Sequence, residues 1–152
     1  MIRDCIGCVA CCYNTKIAEL NKPERVMCNN CDGHGCSIYE DRPAPCVNFN
    51  CAWMQGELFD NCRPAETGVM VENFGSFRFV MCDGDEWKNM TNVWEVYVRK
   101  NIPVVIVTKT NKIVLKPAEM NPEYVMNLIK EAQSGSNDRY LFVFDETKDL
   151  II

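Results

Sequence analysis

The chain has 152 residues, 47% hydrophobic and 24% charged, with a formal net charge of −5 at pH 7, a balance that fits an ordinary folded domain and excludes a disordered polyelectrolyte. An acidic surface repels phosphate, so no nucleic-acid partner is expected, and no apolar run reaches the ~18 residues a membrane helix needs. The N-terminus MIRDCIGC lacks the apolar core of a signal peptide, so the expected location is cytoplasmic, where eleven cysteines read as free or metal-bound thiols rather than as disulfides.

The first element is CIGCVACC, which puts Cys5, Cys8, Cys11 and Cys12 into a window of eight residues. A C-x-x-C turn sets two sulfurs on one side of a tight loop, within reach of one ion at a Zn–S distance of about 2.3 Å. Cys28-Asn29-Asn30-Cys31 is a second such knuckle, and nineteen residues separate the pairs, inside the interval of Cys₄ zinc sites. A competing grouping takes Cys5, Cys8 and Cys11 as the triple run that ferredoxins offer to an iron–sulfur cubane. Cys12, directly after Cys11, departs from the ferredoxin spacing. In an extended segment Cys11 and Cys12 point to opposite faces and serve two centres more easily than one. In a helical segment Cys5, Cys8 and Cys12 lie within about 60° of one another. Cys36, Cys46 and Cys51 can complete a second set.

Ten of the eleven cysteines fall in the first 62 residues. That stretch is rich in Asn, Asp, Gly and Pro and poor in apolar runs, so it buries too little to offset its ordering entropy. Residues 1–62 are therefore expected to form a small irregular cysteine-rich metal-binding lobe. Residues 63–152 read as an α+β sheet-and-helix region, and the two parts as one compact unit.

In that second region 68–72 and 77–81 flank Asn73-Phe74-Gly75-Ser76, and 103–108 and 112–116 flank Lys109-Thr110-Asn111, so each pair predicts a β-hairpin. Between them Met90, Val93, Trp94 and Tyr97 recur at helical spacing over 87–99. Asn121 and Pro122 cap a second helix with Val125, Leu128, Ile129 and Ala132 as its apolar stripe. A buried strand is expected at 140–144. The order ββαββαβ predicts a mostly antiparallel sheet with two helices on one face.

The segment Cys36-Ser37-Ile38-Tyr39-Glu40-Asp41-Arg42-Pro43-Ala44-Pro45-Cys46, together with C-x-x-C-x-x-C-C at 5–12 and Cys51-Ala52-Trp53, resembles the YkgJ-type cysteine-cluster family, described as a zinc- or iron-chelating domain. The resemblance covers residues 5–54. It implies that Cys5, Cys8, Cys11, Cys12, Cys31, Cys36, Cys46 and Cys51 chelate metal, with Cys28 added as in members that carry a paired cysteine there. Cys62 and Cys82 lie outside the motif, and Cys82 reads as packing at a strand end.

Other residues have plainer readings. His34, the single histidine, sits in a Gly-flanked turn and reads as solvated. Arg42 either offsets thiolate charge or pairs with Glu40 or Asp41, while Tyr39 and Trp53 are expected to cap the metal region. Asp83 and Asp85 read as a solvated turn or helix cap. No catalytic triad, dinucleotide fingerprint or phosphate loop occurs, so an enzyme is not the favoured reading. The expected function is metal binding, with one or two zinc ions in all-cysteine sites. The alternative is a [4Fe-4S] cluster or iron, in electron transfer or in support of a redox enzyme. Metal ions are the expected partners; no protein partner can be named.

Overall fold

A computed structural model describes residues 3–134, 144–145 and 147–152. Up to Thr67 the chain forms only short pieces: helix α1 (Ala10–Asn14), helix α2 (Ala44–Asn48), helix α3 (Pro64–Thr67) and single 3₁₀ turns. Extended Pro43 precedes α2, and Arg63 precedes α3. Pro64 then sits at the first helical position of α3, where its missing N–H costs nothing. Gly68, at φ +72°, ends α3 in the left-handed conformation that glycine adopts without strain.

Strands β1 (Met70–Asn73) and β2 (Arg78–Met81) pair antiparallel. Their turn is closed by the Phe74 N–H donating to the Phe77 carbonyl at 3.1 Å and by the Gly75 N–H donating to the Asn73 side chain at 2.7 Å. Strands β3 (Val104–Val107) and β4 (Lys112–Leu115) form the second antiparallel hairpin. There the Thr108 hydroxyl accepts from the Asn111 N–H at 2.9 Å. Both hairpins lie where the turn residues predict them.

The sheet as a whole is not mostly antiparallel. Its five strands run β1-β2-β3-β4-β5, the last being Leu150–Ile151, and β2 pairs parallel with β3 and β4 parallel with β5. The cause is the helical connection. A chain that leaves β2, forms a helix and returns beside β2 arrives in the direction it left. The predicted strand at 140–144 lies outside the described residues except for Phe144, which is buried and not in a strand.

The helix expected over 87–99 is a 3₁₀ turn at Glu86–Met90 followed by helix α4 (Thr91–Arg99), which packs against β3. Met90, Val93, Trp94 and Tyr97 are buried as their spacing predicts, and the Trp94 indole N–H donates to the Trp87 carbonyl at 2.7 Å. Helix α5 (Pro122–Ser134) is capped by Asn121, whose side chain accepts from the Glu123 N–H at 2.9 Å. Val125, Met126 and Ile129 are its buried residues, with Leu128 and Ala132 packed beside them.

The core runs from the sheet and helices into residues 51–62, because Ala52, Trp53, Leu58 and Cys62 belong to the same apolar cluster. The Ala52 N–H donates to the Val71 carbonyl at 2.7 Å, which fastens this segment to β1. The Glu57 carboxylate accepts from Arg78 and from the Tyr97 hydroxyl, both at 2.9 Å. Burial first, then the Glu57 hydrogen bond, pushes the Tyr97 phenol well above its usual range. Cys51 is thus delivered to the site from a rigid support.

Candidate metal centre

The Cys5–Cys8 turn closes through the Cys8 N–H on the Cys5 carbonyl at 2.9 Å, with Gly7 at φ +74° supplying the left-handed bend. Two arginines hold it in place. Arg3 donates to the carbonyls of Trp53 and Leu58, pairs with Asp60 at 2.8 Å and lies over the Trp53 ring, while Arg63 donates to the Ile6 carbonyl. Cys11 and Cys12 follow on α1, which packs against β1. Because the helix begins only at Ala10, Cys5 and Cys8 do not share its face with Cys12.

Cys28 lies against α1, its N–H donating to the Cys12 carbonyl at 3.0 Å. The second knuckle closes as the first does, with the Cys31 N–H on the Cys28 carbonyl at 3.0 Å. Two backbone N–H groups reach its sulfurs, Asn30 to Cys28 and Gly33 to Cys31, both at 3.4 Å. At Cys31 burial pushes the thiol up, and the Gly33 contact opposes that shift. Cys31 and Cys36 face each other as an isolated antiparallel bridge around a tight loop, where the Asp32 carboxylate accepts from the N–H groups of His34 and Gly35 and is held low by them. Cys46 is brought in on α2, its N–H donating to the Pro43 carbonyl at 2.9 Å.

These segments enclose a cavity of about 470 Å³, and of the nine candidate cysteines eight line it: Cys5, Cys8, Cys11, Cys12, Cys28, Cys36, Cys46 and Cys51. Cys31 stands beside Cys12, off the lining. All eleven cysteines are unbridged. Cys62 and Cys82 are buried in the apolar core instead, and His34 is an exposed residue at the cavity's edge.

The thiols perturb one another. Burial and then the charges of Cys51 and Cys8 push Cys5 up; burial and then Cys12, Cys28 and Cys36 do the same to Cys46. Cys11 donates to Cys12, which raises Cys11 and, with a second hydrogen bond from Cys31, lowers Cys12 to about 6 against its burial. Two cations face this charge. Lys22 is 6% exposed, and its ammonium donates to the carbonyls of Tyr13, Thr15 and Pro23. Burial pulls the Lys22 pKa down, while Cys28, Cys12, Cys11 and Cys46 oppose that shift. Arg42 lies over the Tyr39 ring at 3.8 Å, donates to the Tyr39 carbonyl at 2.8 Å, and its charge lowers Cys5, Cys12 and Cys46. Of the two roles open to Arg42, charge compensation is the one this geometry supports. Tyr39 is 53% exposed and stands at the mouth, whereas Trp53 is buried, so the two do not form a common cap.

Among the described residues, no three His, Cys, Asp or Glu side chains come close enough to hold an ion as they stand. A tetrahedral zinc at about 2.3 Å from each sulfur needs sulfurs about 3.8 Å apart. The thiols therefore converge on a shared cavity without closing on a point. By donor chemistry the residues present suit a thiophilic metal.

Several residues carry the site without a sequence signal. Lys22, Arg3 and Arg63 act on backbone carbonyls, many of them distant in sequence, which no motif encodes. Asp83, expected as a turn or cap, is an ion-pair hub: it accepts from the Tyr13 hydroxyl and from Arg25 at 3.0 Å and meets Lys109 at 3.3 Å. Arg25 also donates to the carbonyls of Cys82 and Val107 at 2.8 Å, so this cluster joins the cysteine-rich segment to the ends of β2 and β3. No helix among the described residues is long and apolar enough to cross a membrane. Comparison with known protein families, with curated proteins and with solved structures finds no match.

Proposed function

We propose that this chain is a metal-binding protein that holds its metal through thiolates drawn from the nine cysteines between Cys5 and Cys51. The observation that carries this reading is the convergence of eight of them on one cavity of about 470 Å³ beside a buried lysine. Eight thiols gathered by chance in so little apolar packing would gain nothing from their proximity, since each raises the cost of ionising the next. A thiophilic metal turns that cost into bonds. Resemblance to the YkgJ-type cysteine-cluster family, in the motifs of residues 5–54, supports the same reading.

Zinc is the metal the paired C-x-x-C knuckles favour, as one or two ions in all-thiolate sites without an open position, which gives a structural rather than a catalytic role. A second reading, iron–sulfur, is favoured by one observation. The thiols are spread round a cavity rather than drawn to a point, and a cluster takes one thiolate per iron, at wider spacing than a lone ion needs. Electron transfer would then be the role.

Anaerobic purification followed by metal analysis and a visible spectrum tests both. Colourless protein with stoichiometric zinc supports the first; broad absorption near ~400 nm with iron and labile sulfide supports the second. Protein that takes up neither metal sinks the proposal.

A further inference from the structure

We infer that the cavity cysteines form two separate centres of four thiolates each, one of Cys5, Cys8, Cys11 and Cys51 and the other of Cys12, Cys28, Cys36 and Cys46. This division rests on the metal-binding reading above and says how the ligands are shared. It crosses the pairing that C-x-x-C spacing suggests, in which the knuckles at 5–8 and 28–31 would hold one ion together.

The backbone makes the division. The Cys5–Cys8 turn is fixed by Arg3 and Arg63 to residues 53–63, the segment that follows directly on Cys51. Cys28, by contrast, is fixed to α1 at Cys12, and its own strand of chain leads to Cys36 through the Cys31–Cys36 bridge. The Ser37 N–H on the Asn30 carbonyl, at 2.7 Å, closes that unit. Cys11 and Cys12 are adjacent on a helix, so their side chains leave its axis about 100° apart. That angle lets Cys11 face Cys5 and Cys8 while Cys12 faces Cys31, although the two thiols also touch each other.

Apart from the Cys11–Cys12 contact, the thiol neighbours divide the same way. Cys5 meets Cys51 and Cys8, Cys51 meets Cys8, and Cys11 meets Cys5 and Cys8 besides its chain neighbour. On the other side Cys46 meets Cys12, Cys28 and Cys36. Lys22 lies nearer the second group, with Cys28, Cys12 and Cys46 among the thiols acting on it, although it also feels Cys11. Cys31 touches Cys12 but does not line the cavity, which leaves it a neighbour of the second centre rather than a ligand.

The test is metal content and thiol alkylation, mapped by mass spectrometry on the full chain loaded with zinc, or with iron and sulfide. Cys51→Ser should halve the metal, leaving Cys5, Cys8 and Cys11 open to alkylation and Cys12, Cys28, Cys36 and Cys46 protected. Cys36→Ser should give the mirror pattern. Adding Cys5→Ser to Cys51→Ser should cost no further metal, combining Cys36→Ser with Cys51→Ser should abolish binding, and Cys31→Ser should retain full content. Cys62 and Cys82, buried in the core, report folding: for any variant in which they react, Cys8→Ser or Cys46→Ser replaces it. Wild-type protein that binds neither metal overturns the metal reading and this division with it. Loaded wild type in which Cys51→Ser exposes both groups at once, or in which the Cys5/Cys51 double variant loses more than the single one, overturns the division alone.

Discussion

In residues 3–50 five side chains are buried, namely Asn14, Thr15, Ile17, Lys22 and Cys28, whereas along 69–114 Val69, Val80, Val104, Val105, Ile106 and Val114 are all fully enclosed. The two regions meet the same entropic demand by different means. The sheet offsets the cost of ordering its backbone with apolar area removed from water, about 25 cal/mol per Å². The cysteine-rich stretch has little such area, and what orders it is a set of closed turns, cations on carbonyls and the contact of its thiols. The first region is organised around thiols whose ionisation burial and mutual repulsion oppose. Lys22 and Arg42 offset part of that cost, and metal, on the proposed function, offsets the rest.

Removing metal should separate the two regions most visibly. Structural thiolate sites contribute on the order of 10 kcal/mol to folding, far more than the apolar contacts of this stretch can replace. Strong chelation should leave 5–51 unprotected in hydrogen exchange while the amides of β1 to β4 remain protected. Equal protection in both regions after complete metal removal would count against the dependence.

The reverse perturbation acts on the sheet. Trp94 is 1% exposed and satisfied by the Trp87 carbonyl, so Trp94→Ala should cost about 3–5 kcal/mol. Denaturant unfolding read from the sheet should show that loss, and the variant should still bind its full complement of metal under native conditions. Loss of metal in step with the sheet would mean that the two regions fold as a single unit.

Lys22→Met sharpens the contrast at one residue. It leaves three carbonyls without their donor and the second thiol group without its buried cation. The expected cost is about 2 kcal/mol, felt locally. Metal should pass to a competing chelator roughly tenfold more readily, with the unfolding midpoint of the sheet unchanged. Equal retention by variant and wild type would reduce Lys22 to a packing residue.

Much of the sheet was legible because its signals are local. Asn73 and Gly75 mark one hairpin and Thr108 to Asn111 the other, and the 3.6-residue period of Met90, Val93, Trp94 and Tyr97 marks a helix whatever it packs against. Strand direction was less legible, since it follows from which strands become neighbours, and the β2–α4–β3 crossover decides that only in three dimensions. The same distinction holds at the site. Nine cysteines announce a cluster through spacing alone, but spacing pairs Cys5 and Cys8 with Cys28 and Cys31. The fold instead sets Cys28 on Cys12 and ties the first turn to the chain after Cys51, through arginines whose acceptors lie fifty or more residues away.

Cys82 gives the smallest and most local test, because it is a thiol on the sheet's side of the comparison. It is 1% exposed at the end of β2, and burial pushes its pKa up from 9.0 to about 11. A raised folded-state pKa means that below 9.0 both folded and unfolded states carry the neutral thiol, and stability is unaffected. Between 9.0 and about 11 the unfolded chain loses the proton that the folded protein keeps, so stability falls as pH rises. Cys82→Ala removes that term at a cost of about 1–2 kcal/mol of packing. Denaturant midpoints for the two proteins should therefore be separated by a constant amount up to about pH 9 and converge above it, with metal content the same in both. A gap that stays constant through pH 11, or a metal ion lost from Cys82→Ala, would move Cys82 out of the sheet's core chemistry and into that of the cysteine cluster.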